Sequence, residues 1–388
     1  MRQLKLSRIA VKELVLRWAI DRSGRTVEDL REKFPRIEDW VIGESQPTLR
    51  QLESLAKATL TPLGYFFLAR PPEERLPIPH YRTIREDTPT RPSPDLIETV
   101  QIMQRRQSWM RDFLMDQGAD ELTIVRAVNS RARATAVADR MRLALGLDNN
   151  WASKHRTWTE ALSALREAIE ASGVLVVVNG IVGNNTHRKL DVEEFRGFVL
   201  VDEFAPLIFV NGADGKAAQM FTLAHELAHV LFGRSAAFDL RRLQPADDAI
   251  ERACNEAAAE FLVPADSLRE IWATLDQSHV LFQDVARHFK VSQIVAARRL
   301  LDLDLIDRVR FFTFYQEYTD RIRETSQKSD GGDFYATQNL RLGRRFSRAV
   351  VQATREGKLL FSDAYKLTGL HGSTFEQYAD RLGFGVSR

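Results

Sequence analysis

The sequence predicts a mainly α protein with a small α+β core, in which a short sheet of about three strands packs on one helix and helical domains flank it. Three observations predict this. Apolar residues recur at helical spacing through most of the 388 residues. Runs rich in β-branched and aromatic residues cluster between residues 174 and 210. Capping and breaking residues punctuate the rest into short helices. The bulk composition agrees: 44% apolar and 28% charged residues are ordinary for a globular chain, and the length allows several domains. Lys plus Arg is 55 against 53 Asp plus Glu, so a net charge of +2 excludes a histone-like or polyacidic chain. The single Cys254 excludes an intramolecular disulfide framework and an all-cysteine zinc ribbon. Residues 1–10 lack the apolar stretch of a signal peptide, and no apolar run approaches the ~18 residues of a membrane span. The expectation is a cytoplasmic protein with no membrane partner.

Taken in order, residues 1–70 read as short helices. Thr26 caps one, Ile37–Ile42 is another, and Thr48 caps a third carrying Leu49, Leu52, Leu55 and Ala56. Residues 71–94 hold seven of the 13 prolines and read as a stiff linker, followed by a helix over 95–117, so that 71–134 is a connecting region. Residues 135–265 form the centre. Here a helix over Trp158–Ala171 precedes strands at Val174–Val178, Gly197–Val201 and Leu207–Val210. Asp214 is expected to cap a helix through Phe232, closed by Gly233, and a second helix runs from Asp248 to Leu262 before Pro264. Residues 266–308 read as a helix-turn-helix-like module and 309–388 as a basic helical domain.

The helix before Gly233 contains His225-Glu226-Leu227-Ala228-His229. At 3.6 residues per turn the two histidines lie about 40° apart on one face, so both imidazoles can reach one tetrahedral Zn²⁺. Glu226 falls beside the open coordination position, where it can take a proton from water. Glu251 on the second helix is the third ligand candidate, and Asn255, one turn on, can orient a ligating histidine.

These residues carry a resemblance. Phe221–His229 and the stretch Glu251-Arg252-Ala253-Cys254-Asn255 through Leu262-Val263-Pro264 resemble the ImmA/IrrE family of bacterial zinc endopeptidases. Cys254, Ala257 and Val263 stand where that family's second motif has Ala, Phe and Met. The resemblance implies a zincin-like core with one Zn²⁺ per chain. It also implies cleavage of repressor-like regulators with helix-turn-helix domains, in a stress, phage or toxin–antitoxin circuit. Catalysis would rest on Glu226 as general base and then acid, with a further group steadying the oxyanion. No tyrosine occurs between Tyr81 and Tyr315, which leaves His187, His155 and Arg196. His187 sits in a Gly/Asn-rich stretch suited to a lid, although an exposed loop histidine is the plainer reading. Cys254 reads as a small buried residue in place of alanine rather than a ligand.

Residues 10–70 resemble an Xre/Cro-type helix-turn-helix domain through Thr26–Leu30, Trp40, Gly43-Glu44, Pro47-Thr48, Leu52 and Leu55-Ala56. Its recognition helix would be Arg36–Trp40, which carries Glu38 and Asp39 and lacks Gln or Asn for reading bases. DNA contacts are therefore expected, if anywhere, from Arg341, Arg344, Arg345 and Arg348 within Asn339–Lys358. The leading expectation is an endopeptidase acting on a repressor or an adjacent-gene toxin or antitoxin partner. The rival is a DNA-binding regulator or antitoxin that sequesters a partner and leaves the protease site unused. For the enzyme, Leu207–Val210 is the expected sheet edge for an extended substrate.

Overall fold

Threonine caps at Thr26 and Thr48 open two of the N-terminal helices. The computed structural model describes residues 8–74, 76, 92–129, 131–234, 236–238, 249–275, 281–324 and 334–384. It divides into two compact units, Met1–Pro77 with Arg85–Val100, and Ile78–Ile84 with Gln101–Arg388. In the first unit α1 (Glu13–Arg22) precedes α2 (Val27–Arg31), α3 (Ile37–Val41) and α4 (Leu49–Ala58). Thr26 with Asp29, and Thr48 with Gln51, form reciprocal capping boxes at the starts of α2 and α4, each contributing on the order of 1 kcal/mol. Val15, Leu16, Leu30, Ile37, Trp40, Leu52 and Leu55 share one core. The proline-rich stretch 71–94 falls largely outside the described residues.

In the second unit α5 (Pro94–Asp116, from Gln101 on), α6 (Ala134–Leu145) and α7 (Trp158–Ala171) precede the sheet. Strands β1 (Leu175–Asn179), β2 (Ile181–Val182), β3 (Asn185–Lys189), β4 (Gly197–Leu200) and β5 (Leu207–Asn211) follow. Then come α8 (Lys216–Phe232), β6 (Ala236–Phe238) and α9 (Ala249–Leu262). The remaining elements among the described residues are mostly α-helices: α10 (Ala265–Trp272), α11 (Leu281–Phe289), α12 (Gln293–Asp302), α13 (Arg308–Glu324), α14 (Phe334–Leu342), α15 (Arg344–Arg355), α16 (Phe361–Thr368) and α17 (Gly372–Ala379). The fold is thus mainly α with a small α+β core. No helix among the described residues is long and apolar enough to cross a membrane.

The main sheet has the order β1-β5-β4-β6, with β1 parallel to β5 and the other pairs antiparallel. Every residue of β1, β4 and β5 is buried, as expected for strands covered on both faces. Val176, Val178, Val199, Ile208 and Val210 join the core formed with α8 and α9. Phe195, Phe198 and Phe209 form an aromatic cluster of their own, Phe198 stacking on Phe209 at 4.9 Å between centroids.

Two sequence expectations need correction, and one strand is additional to those expected. Leu207–Val210 is no edge: β5 is bonded to β1 on one side and β4 on the other. Its unbroken apolar run marks a strand covered on both faces, as in β1, and does not tell whether its edges are paired. Strand β6 was not anticipated and makes the sheet four-stranded. Asp214 does not cap α8. The N-cap is Gly215, and the Asp214 carboxylate instead accepts from the Gly215 N–H at 2.8 Å and the Arg196 guanidinium at 2.7 Å.

The outer side of β1 is backed by the C-terminal helices. Gly343, at φ +78°, caps α15 so close to the strand that a Cβ there would lie 2.8 Å from the Val176 carbonyl oxygen. Glu170 at the end of α7 accepts the Arg344 backbone N–H at 2.9 Å, satisfying one of the free donors at the start of α15. Burial nonetheless pushes the Glu170 carboxyl above its ordinary value.

Candidate metal centre

Helix α8 is buried along almost its whole length, from Gln219 to Leu231. That burial takes His225, Glu226 and His229 out of water. On α9 the first turn delivers Glu251 to the same place. Nε2 of His225 and Nε2 of His229 lie 3.1 Å apart. Glu251 Oε2 stands 3.3 Å from the first and Oε1 3.0 Å from the second. Ligands around a tetrahedral zinc at ~2.0–2.1 Å are themselves separated by about 3.3 Å. The donor set therefore fits a divalent ion, and it is the one such group of three among the described residues, with ligand atoms all within 4.8 Å.

The electrostatics favour the same use. Burial pushes His225 down to about 4 against the opposing pull of Glu251 and Asn255, keeping the imidazole neutral as a ligand must be. Burial alone would raise Glu251, but the hydrogen bonds and charges of His225 and His229 outweigh it and bring the carboxyl down to about 2. Glu226 is pushed well above its ordinary value, first by burial and then by the Glu251 charge. Both Glu226 oxygens are buried without a hydrogen-bond partner among the described residues. Asn255 is close enough to favour a proton on His225, and its own Oδ1 is buried and unbonded.

The far end of α9 is pinned. Arg142 of α6 donates to the Glu260 and Phe261 carbonyls at 2.5 and 3.3 Å, and Arg299 of α12 donates to the Val263 carbonyl at 3.0 Å. Arg299 also pairs with the Glu260 carboxylate. Two guanidiniums thus satisfy the carbonyls a helix C-terminus leaves open, which fixes the register that presents Glu251.

Sequence reasoning missed Gly197. A methyl group there would lie 2.5 Å from Thr222 Cγ2, 2.8 Å from the Phe209 carbonyl oxygen and 3.3 Å from Glu226 Oε1. Its bare backbone lets β4 approach the site, and a glycine opening an apolar strand is the signal that could have found it. Gly197→Ala is expected to lower stability by about 1–3 kcal/mol through overpacking, read as a drop in thermal midpoint. An unchanged midpoint would show that β4 stands off from α8.

The other candidates lie elsewhere. His187 is exposed on β3, in the β2–β3 hairpin, and His155 is half-buried against the Trp151 ring. Neither joins the metal group, and Arg196 is committed to Asp214. Cys254 is fully buried in the core and is not among the ligand atoms, in keeping with a packing role. The C-terminal arginines form no uniform basic face. Arg344 and Arg348 are exposed, the latter bonded to the Leu382 carbonyl at 3.0 Å. Burial holds Arg341 and Arg345 below their ordinary values. In the first unit Ile37 and Trp40 of α3 are buried, while Glu38 and Asp39 pair with Arg31 and Arg36.

Comparison with protein families now bears on these residues. Residues 169–301 match the model for the IrrE N-terminal-like domain, Peptidase M78. That span contains His225, Glu226, His229 and Glu251, and it supports the ImmA/IrrE resemblance for this part of the chain. The M78 segment begins inside α7 and runs on to the end of α12, past the boundary expected at 265. Residues 342–381 match a domain of unknown function, DUF8813. No curated protein matches the chain.

Proposed function

We propose that the M78 segment is a zinc-dependent endopeptidase that cleaves a regulatory protein, repressor- or antitoxin-like, in a stress, phage or toxin–antitoxin circuit. His225, His229 and Glu251 hold one Zn²⁺ per chain. The observation that carries the reading is the buried, unbonded Glu226 carboxylate beside a His-His-Glu donor set. Bound zinc supplies Lewis acidity, making water nucleophilic near neutral pH and polarising the scissile carbonyl. Glu226 supplies the proton transfers. Its raised proton affinity suits an oxygen that takes a proton from attacking water and returns it to the departing amine. Neutral His225 can ligate through a ring nitrogen, and Asn255 orients it. The buried surroundings of α8 exclude bulk water and strengthen each of these interactions.

The test uses tagged wild type and Glu226→Gln expressed in the native host, with and without DNA damage. Captured proteins and their termini are compared by mass spectrometry. A target intact on the variant and cut by the wild type is the expected result. Identical, uncut partners with both chains would favour sequestration over cleavage.

A further inference from the structure

An extended peptide must bring its backbone to Glu226 to be cut, and extended peptides are held by adding to a sheet edge. Strand β4 comes close to Glu226 at Gly197, where a Cβ would lie 3.3 Å from Oε1. Its outer edge is already paired. Val199, Phe198 and Gly197 stand opposite Ala236, Ala237 and Phe238 of β6, antiparallel. Neighbouring strands lie ~4.7–4.9 Å apart, so the Phe238 backbone runs beside Gly197, the residue whose bare Cα approaches the Glu226 carboxylate.

We infer that β6 is a built-in occupant of the substrate position. The chain covers β4 with its own segment 236–238, and an extended peptide binds by replacing that segment. This deepens the peptidase reading and rests on it. Gly233, at φ +71°, ends α8 and turns the chain toward β4. A Cβ there would fall 2.2 Å from Arg126 Cγ, so the turn demands glycine. The strand that follows suits displacement: it has three residues, and two are alanines, which strands disfavour. Its partner Gly197-Phe198-Val199 belongs to the fixed, fully buried part of the sheet.

Full-length, zinc-loaded chains and quenched-fluorescent casein provide the test. Cysteines at the paired positions Val199 and Ala236 (Val199→Cys with Ala236→Cys) place Cβ atoms at cross-strand spacing, within reach of a disulfide. The oxidised chain is expected to cut casein at least tenfold more slowly than the same chain after reduction. Ala236→Pro with Ala237→Pro, which strips N–H donors from β6, should cut at least fivefold faster than wild type. A readout independent of turnover is amide hydrogen exchange in Glu226→Gln saturated with casein. Amides 236–238 should lose protection while 197–199 keep theirs. Equal rates before and after reduction, or 236–238 still protected in the casein-bound chain, would overturn the displacement and leave the peptidase reading standing. Casein left intact by every form, with amides 236–238 still protected in its presence, would overturn the displacement, whereas the peptidase reading falls only to identical, uncut partners in the Glu226→Gln capture.

Discussion

Glu226→Gln is expected to retain its zinc and its fold while losing about 10²–10⁴-fold in hydrolysis, the usual contribution of a positioned acid–base group. The residue shares α8 with His225 and His229, the two histidines of the candidate donor set, yet lies outside that set, so the amide keeps the shape and removes only the proton carrier. Stability gives a second readout on metal-free protein. A carboxyl whose folded-state proton affinity is raised favours the neutral form, so the fold loses stability as pH rises above the ordinary carboxylate range toward the raised value. Glutamine has no proton to lose, and the variant should melt at or above the wild-type temperature at pH 7. Elemental analysis, casein hydrolysis and thermal melts together check this. Hydrolysis at the wild-type rate would remove Glu226 from the chemistry, and loss of zinc would make it a ligand.

His229→Ala should have the opposite signature. It deletes one of the three donors and leaves Glu251 with one imidazole partner in a buried setting. Weakening of zinc affinity by more than about 100-fold is expected, beyond the 10–100-fold typical of groups that only orient a ligand. Competition with a chromophoric chelator measures it. Affinity equal to the wild type would mean that the metal, if any, lies elsewhere.

The donor set could be read from spacing because a helix converts sequence separation into direction. His225 and His229 share a face, and the Ala-rich, Pro-terminated pattern around Glu251 declares its helix. Helix α7 begins and ends at the residues its Thr157 cap and Gly173 stop indicate. Strand neighbours were not legible in the same way, since the apolar run of β5 states burial without stating which strands lie beside it. Nor was β6, whose alanines carry no strand preference and which exists by pairing with β4. The surroundings of the basic C-terminal run were hidden for a related reason. Charge counts do not reveal that Arg345 lies beside Glu170 or that burial perturbs Arg341.

The backing of β1 by α14 and Gly343 lies beyond the stretch that matches the M78 family. The M78 match stops at residue 301, but the cover for the outer side of β1 comes from residues beyond 333. A chain cut between them would retain every donor to the metal and bare a wholly apolar strand, Leu175-Val176-Val177-Val178, along its hydrogen-bonding side. Such an edge recruits other chains into mixed sheets. Residues 334–343, which end as the DUF8813 match begins, are in that sense a guard on the β1 edge, and a shortened chain that keeps this strand covered has to extend past the M78 boundary.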